Sequence, residues 1–137
     1  MSLVDDIADR LTTQSVATTG TNLFKDQMPS TPDELIALYE TGGPAPVRVM
    51  GVSTGTRPTA EQPHLQVIVR ATRSDAARKL ARDVFHNLEA VGPVTINNVV
   101  YYGILALQTP FFLRKDESGR YEFAVNFEIT RQFVTSS

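Results

Sequence analysis

The chain has 137 residues, carries a formal net charge of −2 and contains no cysteine. The absence of cysteine excludes disulfides, thiolate zinc sites and cysteine catalysis. The acidic balance argues against a nucleic-acid-binding domain, because such domains usually carry a basic excess that neutralises phosphates. We expect one soluble domain over residues 1–137, since no apolar run reaches the roughly 18 residues that a membrane helix needs.

The N-terminal segment predicts a short amphipathic helix over residues 3–12. Ser2 is followed three residues later by Asp5, which is a capping-box pattern. Apolar residues then recur at helical spacing. We interpret Asp5, Asp6 and Asp9 as a solvated face that also interacts favourably with the helix dipole.

The segment Met28–Pro44 has two prolines before a strand-like run and two glycines after it. Each proline fixes its own φ and biases the preceding residue toward extended geometry. The run Leu35–Tyr39 has the composition of a buried strand. We predict a strand over Glu34–Glu40, a short extended piece at Leu23–Phe24 and a turn at Gly42–Gly43.

The middle of the chain is rich in glycine, proline, serine and threonine up to residue 63. It predicts a short strand, Val47–Val52, and an exposed loop, Thr54–Thr59. The next strand is His64–Ala71. Its alternation places Leu65, Val67 and Val69 on one face, and Gln66, Ile68 and Arg70 on the other.

The longest predicted helix runs from a Ser74 cap to Val91, just before Gly92–Pro93. Its apolar stripe consists of Ala77, Leu80, Ala81, Val84, Leu88 and Val91. A basic run, Arg70, Arg73, Arg78, Lys79 and Arg82, accompanies it. We interpret this run as a solvated helix face, with contact to a partner or to phosphates as the alternative.

The C-terminal third predicts extended segments joined by tight turns. The segments are Val94–Ile96, Val99–Tyr102, Phe111–Lys115 and Tyr121–Arg131, with turns at Asn97–Asn98 and Asp116–Arg120. An extension of the second segment as far as Gln108 is left open. In the last segment, Phe123, Val125, Phe127 and Ile129 alternate with Glu122, Asn126, Glu128 and Thr130. This period of two predicts one buried face and one face that is wet or meets a partner.

The order of these elements predicts an α+β fold. We expect an antiparallel or mixed sheet in a single domain, with the two main helices packed on one face of the sheet.

Catalytic chemistry has little support in the sequence. Neither His64 nor His86 has ligands at a clear spacing, and we interpret both as solvated or structural. Gly51, Ser53 and Gly55 match the spacing of a nucleophile elbow, but the residues after them do not begin a helix, so a loop is favoured. We therefore predict no catalytic, cofactor-binding or metal-binding residue and no enzymatic activity.

Two pairs of adjacent aromatic residues raise a question about exposure. In an extended segment, Phe111 and Phe112 point to opposite faces, as do Tyr101 and Tyr102. One ring of each pair can fill the core. The other is exposed, covered by a loop or buried against another chain.

The motifs in the first two thirds of the chain carry a family resemblance. The segments Phe24–Asp33 and Ile36–Gly43, with their Met-Pro-x-x-Pro and Tyr-x-x-Gly-Gly patterns, resemble the tail-terminator (tail-completion) proteins of long-tailed bacteriophages, which are minor capsid proteins. The strand Leu65–Ala71 leading into a helix from Ser74 to Val91 fits the same pattern. The resemblance extends from Leu3 to about Ile129.

This resemblance implies a structural protein of the virion, at the head-proximal end of the tail, assembled in the host cytoplasm. Relatives assemble as a hexameric ring. The ring caps the finished tail tube, stops polymerisation and presents a surface to the head-completion protein. DNA passes through the hole without specific binding, and neither a cofactor nor a membrane is involved.

Exposure and alternation suggest where such a protein makes its contacts. Our candidates are Arg57 in the exposed loop, the segment with Phe111, Phe112 and Arg114, and the wet face of the last strand through Asn126 and Glu128. Two alternatives remain open from the sequence. One is a head-completion or stopper protein, and the other is a small-molecule-binding α+β domain or a hydrolase that uses Ser53.

Overall fold

The structure, a computed structural model, describes residues 2–44, 46 and 60–133. Within these ranges two helices accompany one eight-stranded sheet. In chain order the elements are α1 (Leu3–Thr13), β1 (Leu23–Lys25), β2 (Leu35–Gly42), β3 (Ala60–Glu61), β4 (His64–Ala71), α2 (Ser74–Leu88), β5 (Val94–Ile96), β6 (Val99–Ala106), β7 (Phe111–Lys115) and β8 (Tyr121–Gln132). The predicted α+β class and mixed sheet are confirmed. The predicted strand Val47–Val52 and loop Thr54–Thr59 lie outside the described residues.

Strand β8 is the centre of the sheet. The strand order is β1-β2-β4-β8-β6-β5, and both β3 and β7 also pair with β8. One side of β8 pairs with β4, while the other side pairs first with β7 and then with β6. The two strands β6 and β7 therefore behave as one long strand with an interruption. Every pair is antiparallel except β1 with β2.

Helix α1 begins with the predicted capping box, because the Ser2 side chain accepts from the Asp5 N–H and the Asp5 side chain accepts from the Ser2 N–H. Asp5 also accepts from Lys25 Nζ on β1 at 2.7 Å. This bond and those from Ser2 lower the pKa of Asp5 to about 2. At the other end of the strand order, Asn97 in the β5–β6 turn donates to Asp6 at 2.8 Å. The sheet therefore curls so that α1 contacts both of its ends.

Helix α2 differs from its prediction at both ends. Arg73 occupies the N-cap position without a side-chain cap bond, so Ser74 is the first helical residue and the predicted Ser74 cap is wrong. The helix ends at Leu88, and Val91 instead forms a bridge to Ile104 on β6. Glu89 accepts from the Ala106 N–H at 2.6 Å. These contacts to β6 require a backbone that leaves the helix before the glycine.

The core combines both helices with alternate residues of the central strands. Its β4 members are Leu65, Val67, Val69 and Ala71, and its β8 members are Phe123, Val125, Phe127 and Ile129. Both sets follow the predicted alternation. From α2 it contains Ala77, Ala81, Val84 and Leu88. Burial of this apolar surface stabilises the fold by roughly 25 cal/mol for each Å² removed from water. Neither helix in the described part of the chain has the length and apolarity needed to cross a membrane.

The end of β2 needs glycine at two adjacent positions, for two different reasons. Gly42 has a φ of +83°, which L side chains rarely adopt. Gly43 passes so close to the chain that a Cβ there would lie 2.0 Å from the Gln62 carbonyl oxygen. Strand β2 continues through Gly42, which faces His64 just after a register shift, so the turn predicted at Gly42–Gly43 is wrong at Gly42.

Candidate assembly surface

Large apolar side chains are exposed along β6, β7 and the residues that join them. Between 37% and 54% of the surface of each is accessible. They are Tyr102, Leu105, Leu107, Phe111 and Phe112, and we call them the β6–β7 apolar surface. Exposed apolar residues concentrated on one element are typical of a surface that binds another protein.

One backbone hydrogen bond and one side-chain hydrogen bond, both to Asn126, hold β6 and β7 in line across their interruption. The Leu107 N–H donates to the Asn126 carbonyl at 2.8 Å, and the Asn126 N–H donates to Gln108 Oε1 at 3.0 Å. The Gln108 side chain thus replaces a backbone acceptor. Pro110, which has no N–H to donate, ends the interruption. The apolar surface is therefore presented on a fixed backbone.

Phe111 and Phe112 lie on opposite faces of the sheet, as expected, because they face Ala124 and Phe123 respectively. The expectation that one of them fills the core is wrong, since 37% of Phe111 and 52% of Phe112 is exposed. Phe112 packs edge-on against the Phe123 ring, with 5.7 Å between centroids. The core ends at β8 here because the contacts of α2 are with β4, β6 and β8.

The second aromatic pair divides as predicted. Tyr101 is fully buried and Tyr102 is half exposed. The register of β6 with β8 shifts between Tyr101 and Gly103. This irregularity separates the buried tyrosine from the exposed one.

Four of the predicted contact residues share one face of the sheet. Phe111 faces Ala124, and Arg114 faces Glu122. Residues 122, 124, 126 and 128 all lie on one face of β8, so Asn126 and Glu128 share this face. Directly opposed residues in antiparallel strands share a face. Phe112 lies on the other face, and Arg57 lies outside the described residues. The role of all six residues as contacts stays a prediction.

The polar members of this set have local partners. Arg114 Nε donates to Glu122 Oε1 at 2.9 Å, and Glu122 is almost fully buried. The prediction that Glu122 lies on a wet face is therefore wrong at this position. Glu128 Oε2 lies 3.5 Å from His64 Nε2. Asn126 is half-buried and uses its backbone N–H to bind Gln108.

Arg70 holds residues 29–33 against the face of the sheet that carries Glu122. Its Nη2 donates to the carbonyls of Pro29 at 2.8 Å and Pro32 at 2.7 Å, and its Nε donates to the Asp33 carbonyl at 3.2 Å. Only 3% of Arg70 is exposed, and burial lowers its pKa. The solvated interpretation of the basic run is therefore wrong for Arg70. The alternation of β4 indicated its face, but the covering segment could not be seen in the sequence.

A second buried polar cluster joins α1 to the end of β8. The Tyr101 hydroxyl donates to Asp6 Oδ2 and accepts from Arg131 Nη1 at 3.3 Å. Arg131 Nε donates to Glu61 Oε1 at 2.8 Å. Burial, and then the bond to Asp6, raises the pKa of Tyr101. Asp6 is fully buried, so its interpretation as solvated is wrong. Its spacing of three from Leu3 places it on the buried helix stripe, which was an available signal.

The described residues offer little that resembles a site for small-molecule chemistry. Among residues 2–44, 46 and 60–133, no group of three His, Cys, Asp or Glu side chains is arranged to hold a metal ion. A cleft of about 280 Å³ lies between the second half of α1 and β5. It is slightly smaller than typical ligand pockets. Gly51, Ser53 and Gly55, the residues of the hydrolase alternative, lie outside the described residues.

Comparisons with known proteins agree with this arrangement. A family model described as "Bacteriophage tail terminator protein" matches residues 10–133. A solved structure titled "Virion of native gene transfer agent (GTA) particle" is similar, with a TM-score of 0.65, 16% identity and 96% coverage of both chains. A second solved structure, whose title describes no function, has a TM-score of 0.58, 10% identity and coverage of 96% of this chain and 92% of its own. No curated protein matches.

The family match spans most of the chain, and the fold of the two solved structures spans nearly all of it. The chain belongs to the bacteriophage tail terminator family. It is a structural protein of the phage tail, located in the virion. The resemblance seen in the sequence is confirmed.

Proposed function

We propose that the protein forms a ring, with six copies as the expected number, on the head-proximal end of the tail tube. The ring stops tube polymerisation and provides the docking surface for the head. The observation that carries this proposal is the tail terminator match over residues 10–133. The β6–β7 apolar surface supports a role in protein–protein contacts.

The proposed mechanism is steric and uses no catalytic residue. One face of the ring binds the end of the tube, and the other face lacks the surface that a further tube ring needs. Association depends on complementary shape and buried apolar area. The predicted contact residues on β7 and β8 are the candidates for this docking, together with Arg57.

The size of the chain is compatible with a channel for DNA. A domain of 137 residues has a radius of gyration of about 14 Å, hence a diameter of roughly 37 Å if spherical. Six such bodies in contact around a ring leave a hole of similar width. A duplex on the order of 20 Å across fits through this hole, even after the subunits are wedged together.

The experiment uses phage that lack the gene for this chain. Electron microscopy of the lysate is expected to show tails of uncontrolled length that carry no heads. Adding purified protein to freshly assembled tails should stop their growth and allow heads to join. Tails of normal length that merely fail to join heads would favour the head-completion alternative. Normal phage would contradict both functions.

A further inference from the structure

We propose that an acidic surface of the tail tube subunit docks onto a cation–aromatic patch beside β7, which consists of Arg78, Phe112, Lys115, Tyr121 and Phe123. This inference rests on the proposed function and assigns the chemistry of its contact with the tube. In this contact, an apolar side chain of the tube subunit packs on the Phe112 ring. Carboxylates on either side of that side chain pair with Arg78 and Lys115.

The members of the cation–aromatic patch form one chain of contacts. Arg78 Cζ lies 5.4 Å from the centroid of the Phe123 ring, and the centroids of Phe123 and Phe112 are 5.7 Å apart. The centroids of Phe112 and Tyr121 are 6.5 Å apart, and Lys115 Nζ lies 5.2 Å from the centroid of Tyr121. Phe112, which is 52% exposed, is the middle member of this chain. A cation stands at each end of it.

The patch lies on one face of the sheet, the face that α2 covers. Phe112 faces Phe123, and Lys115 faces Tyr121. Residues 121 and 123 share a face because side chains alternate along a strand. Phe123 belongs to the core together with Ala77 of α2. The patch is therefore built on two strands and a helix that pack against one another, and it needs no rearrangement to receive a partner.

The two cations of the patch carry uncompensated charge. Both Arg78 and Lys115 are exposed, and neither forms an ion pair with another residue in the described part of the chain. Arg114, on the opposite face of β7, is instead paired with Glu122 at 2.9 Å. Complementary charge across an interface favours the correct partner. The partner of this face is therefore expected to carry carboxylates.

Contacts with aromatic rings hold the two cations in place before a partner binds. A cation over the face of an aromatic ring is attracted by the electrons of the ring. Side chains that are already ordered lose less conformational freedom on binding. Aromatic residues and arginine also dominate the binding energy of many interfaces. Phe112 and Arg78 are therefore the members of the patch that should contribute most.

A second copy of this chain fits the patch poorly. Contact of the patch with itself requires a two-fold axis, and it brings the cations of both copies together, where like charges repel. In a head-to-tail contact, the patch meets a different surface of the neighbour. The exposed large apolar side chains of the described residues all lie on β6, β7 and the residues that join them. The apolar partner of Phe112 is therefore assigned to another protein.

DNA phosphates are the other anions that two cations could bind. The chain as a whole has a net charge of −2, and its helix α2 also exposes Asp75 and Asp83. A protein that binds a duplex usually neutralises several phosphates with a basic excess. An exposed aromatic ring between two cations favours an apolar and acidic protein surface instead.

A zero-length crosslink tests for a carboxylate beside Lys115. A carbodiimide joins an amine to a carboxylate that touches it, and it is applied to tails capped by the purified protein. Mass spectrometry should then show Lys115 linked to an Asp or Glu of the tube subunit. Lys115→Arg is the matched control, because it keeps the positive charge but has no amine. This variant should cap tails normally and lose the crosslink.

Charge reversal tests both cations without a crosslinker. Arg78→Glu and Lys115→Glu should each lower binding to uncapped tails about tenfold, because each brings like charges together. Cosedimentation with tails measures the binding, and circular dichroism verifies that each variant folds. Lys79→Glu is the control, since it changes the net charge equally but replaces a side chain that pairs with Asp83. It should change binding less than twofold.

The outcomes separate this inference from the proposed function. A crosslink from Lys115 to a second copy or to a head protein, or no crosslink from Lys115 on capped tails, would overturn the tube contact and leave the terminator function intact. Normal tail binding by a folded Arg78→Glu/Lys115→Glu variant would overturn it as well. So would binding of labelled duplex DNA, measured by fluorescence anisotropy, that this double variant abolishes. Failure of the unmodified protein to stop tail growth would instead contradict the proposed function.

Discussion

Tyr101 connects two buried charged side chains through one hydroxyl group. It donates to Asp6 and accepts from Arg131, and all three residues are at least 96% buried. A carboxylate in such a place requires donors, because desolvation without hydrogen bonds costs several kcal/mol. The hydroxyl therefore helps to satisfy Asp6 and at the same time holds α1 against β6 and β8.

Tyr101→Phe should lower the free energy of unfolding by about 1–3 kcal/mol, because Asp6 then loses a buried donor while the ring still fills its space. Urea unfolding followed by circular dichroism measures this. Tyr102→Phe is the matched control, since half of Tyr102 is exposed, and it should change stability by less than about 0.5 kcal/mol. Equal effects of the two variants would contradict the assigned role of the hydroxyl.

At the scale of elements, the two asparagines in the turn of the β5–β6 hairpin have different structural roles. Asn97 and Asn98 have φ values of +49° and +66°, the signs that a two-residue hairpin turn requires. The Asn97 side chain donates to Asp6 and Asp9, both at 2.8 Å. The first asparagine thus anchors the turn to α1, and the second serves its backbone conformation alone.

Asn98→Gly should therefore keep or raise stability by a few tenths of a kcal/mol, because Asn-Gly is the preferred pair for this turn. Asn97→Gly should lower stability by about 1–2 kcal/mol, since two carboxylates lose a donor. Thermal unfolding of the two variants gives the comparison. A larger loss for Asn98→Gly than for Asn97→Gly would be inconsistent with this division.

Local patterns predicted most elements because their information lies in adjacent residues. The alternation in His64–Ala71 and the turn at Asn97–Asn98 are both present in the structure. The sequence could not show what covers each face. The buried Glu122 accepts a hydrogen bond from Arg114, and the buried Arg70 donates to the carbonyls of Pro29, Pro32 and Asp33. Neither Phe111 nor Phe112 fills the core, because the contacts of α2 are with β4, β6 and β8.

At the scale of the whole molecule, substitutions of Phe112 and Phe123 distinguish an effect on folding from an effect on assembly. Their rings are in contact, but Phe112 is half exposed and Phe123 is 5% exposed. Phe123→Ala should cost about 3–5 kcal/mol of unfolding free energy. Phe112→Ala should cost no more than about 1.5 kcal/mol, the usual value of an aromatic pair.

The same Phe112→Ala protein, still folded, should cap tails at least tenfold less well in the growth assay by electron microscopy. This follows if the exposed ring is buried on assembly, since an aromatic ring in an interface contributes strongly to binding. Unaltered capping by a folded Phe112→Ala protein would remove Phe112 from the contact residues.

Strand β8 pairs with β3, β4, β6 and β7, yet it is the last of these strands to leave the ribosome. Until residues 121–132 emerge, the nascent chain holds strands whose shared neighbour does not yet exist. A product of premature termination before this point lacks the middle of its sheet. We expect such fragments to stay unfolded and be degraded, so that translation errors seldom place a defective subunit in a particle.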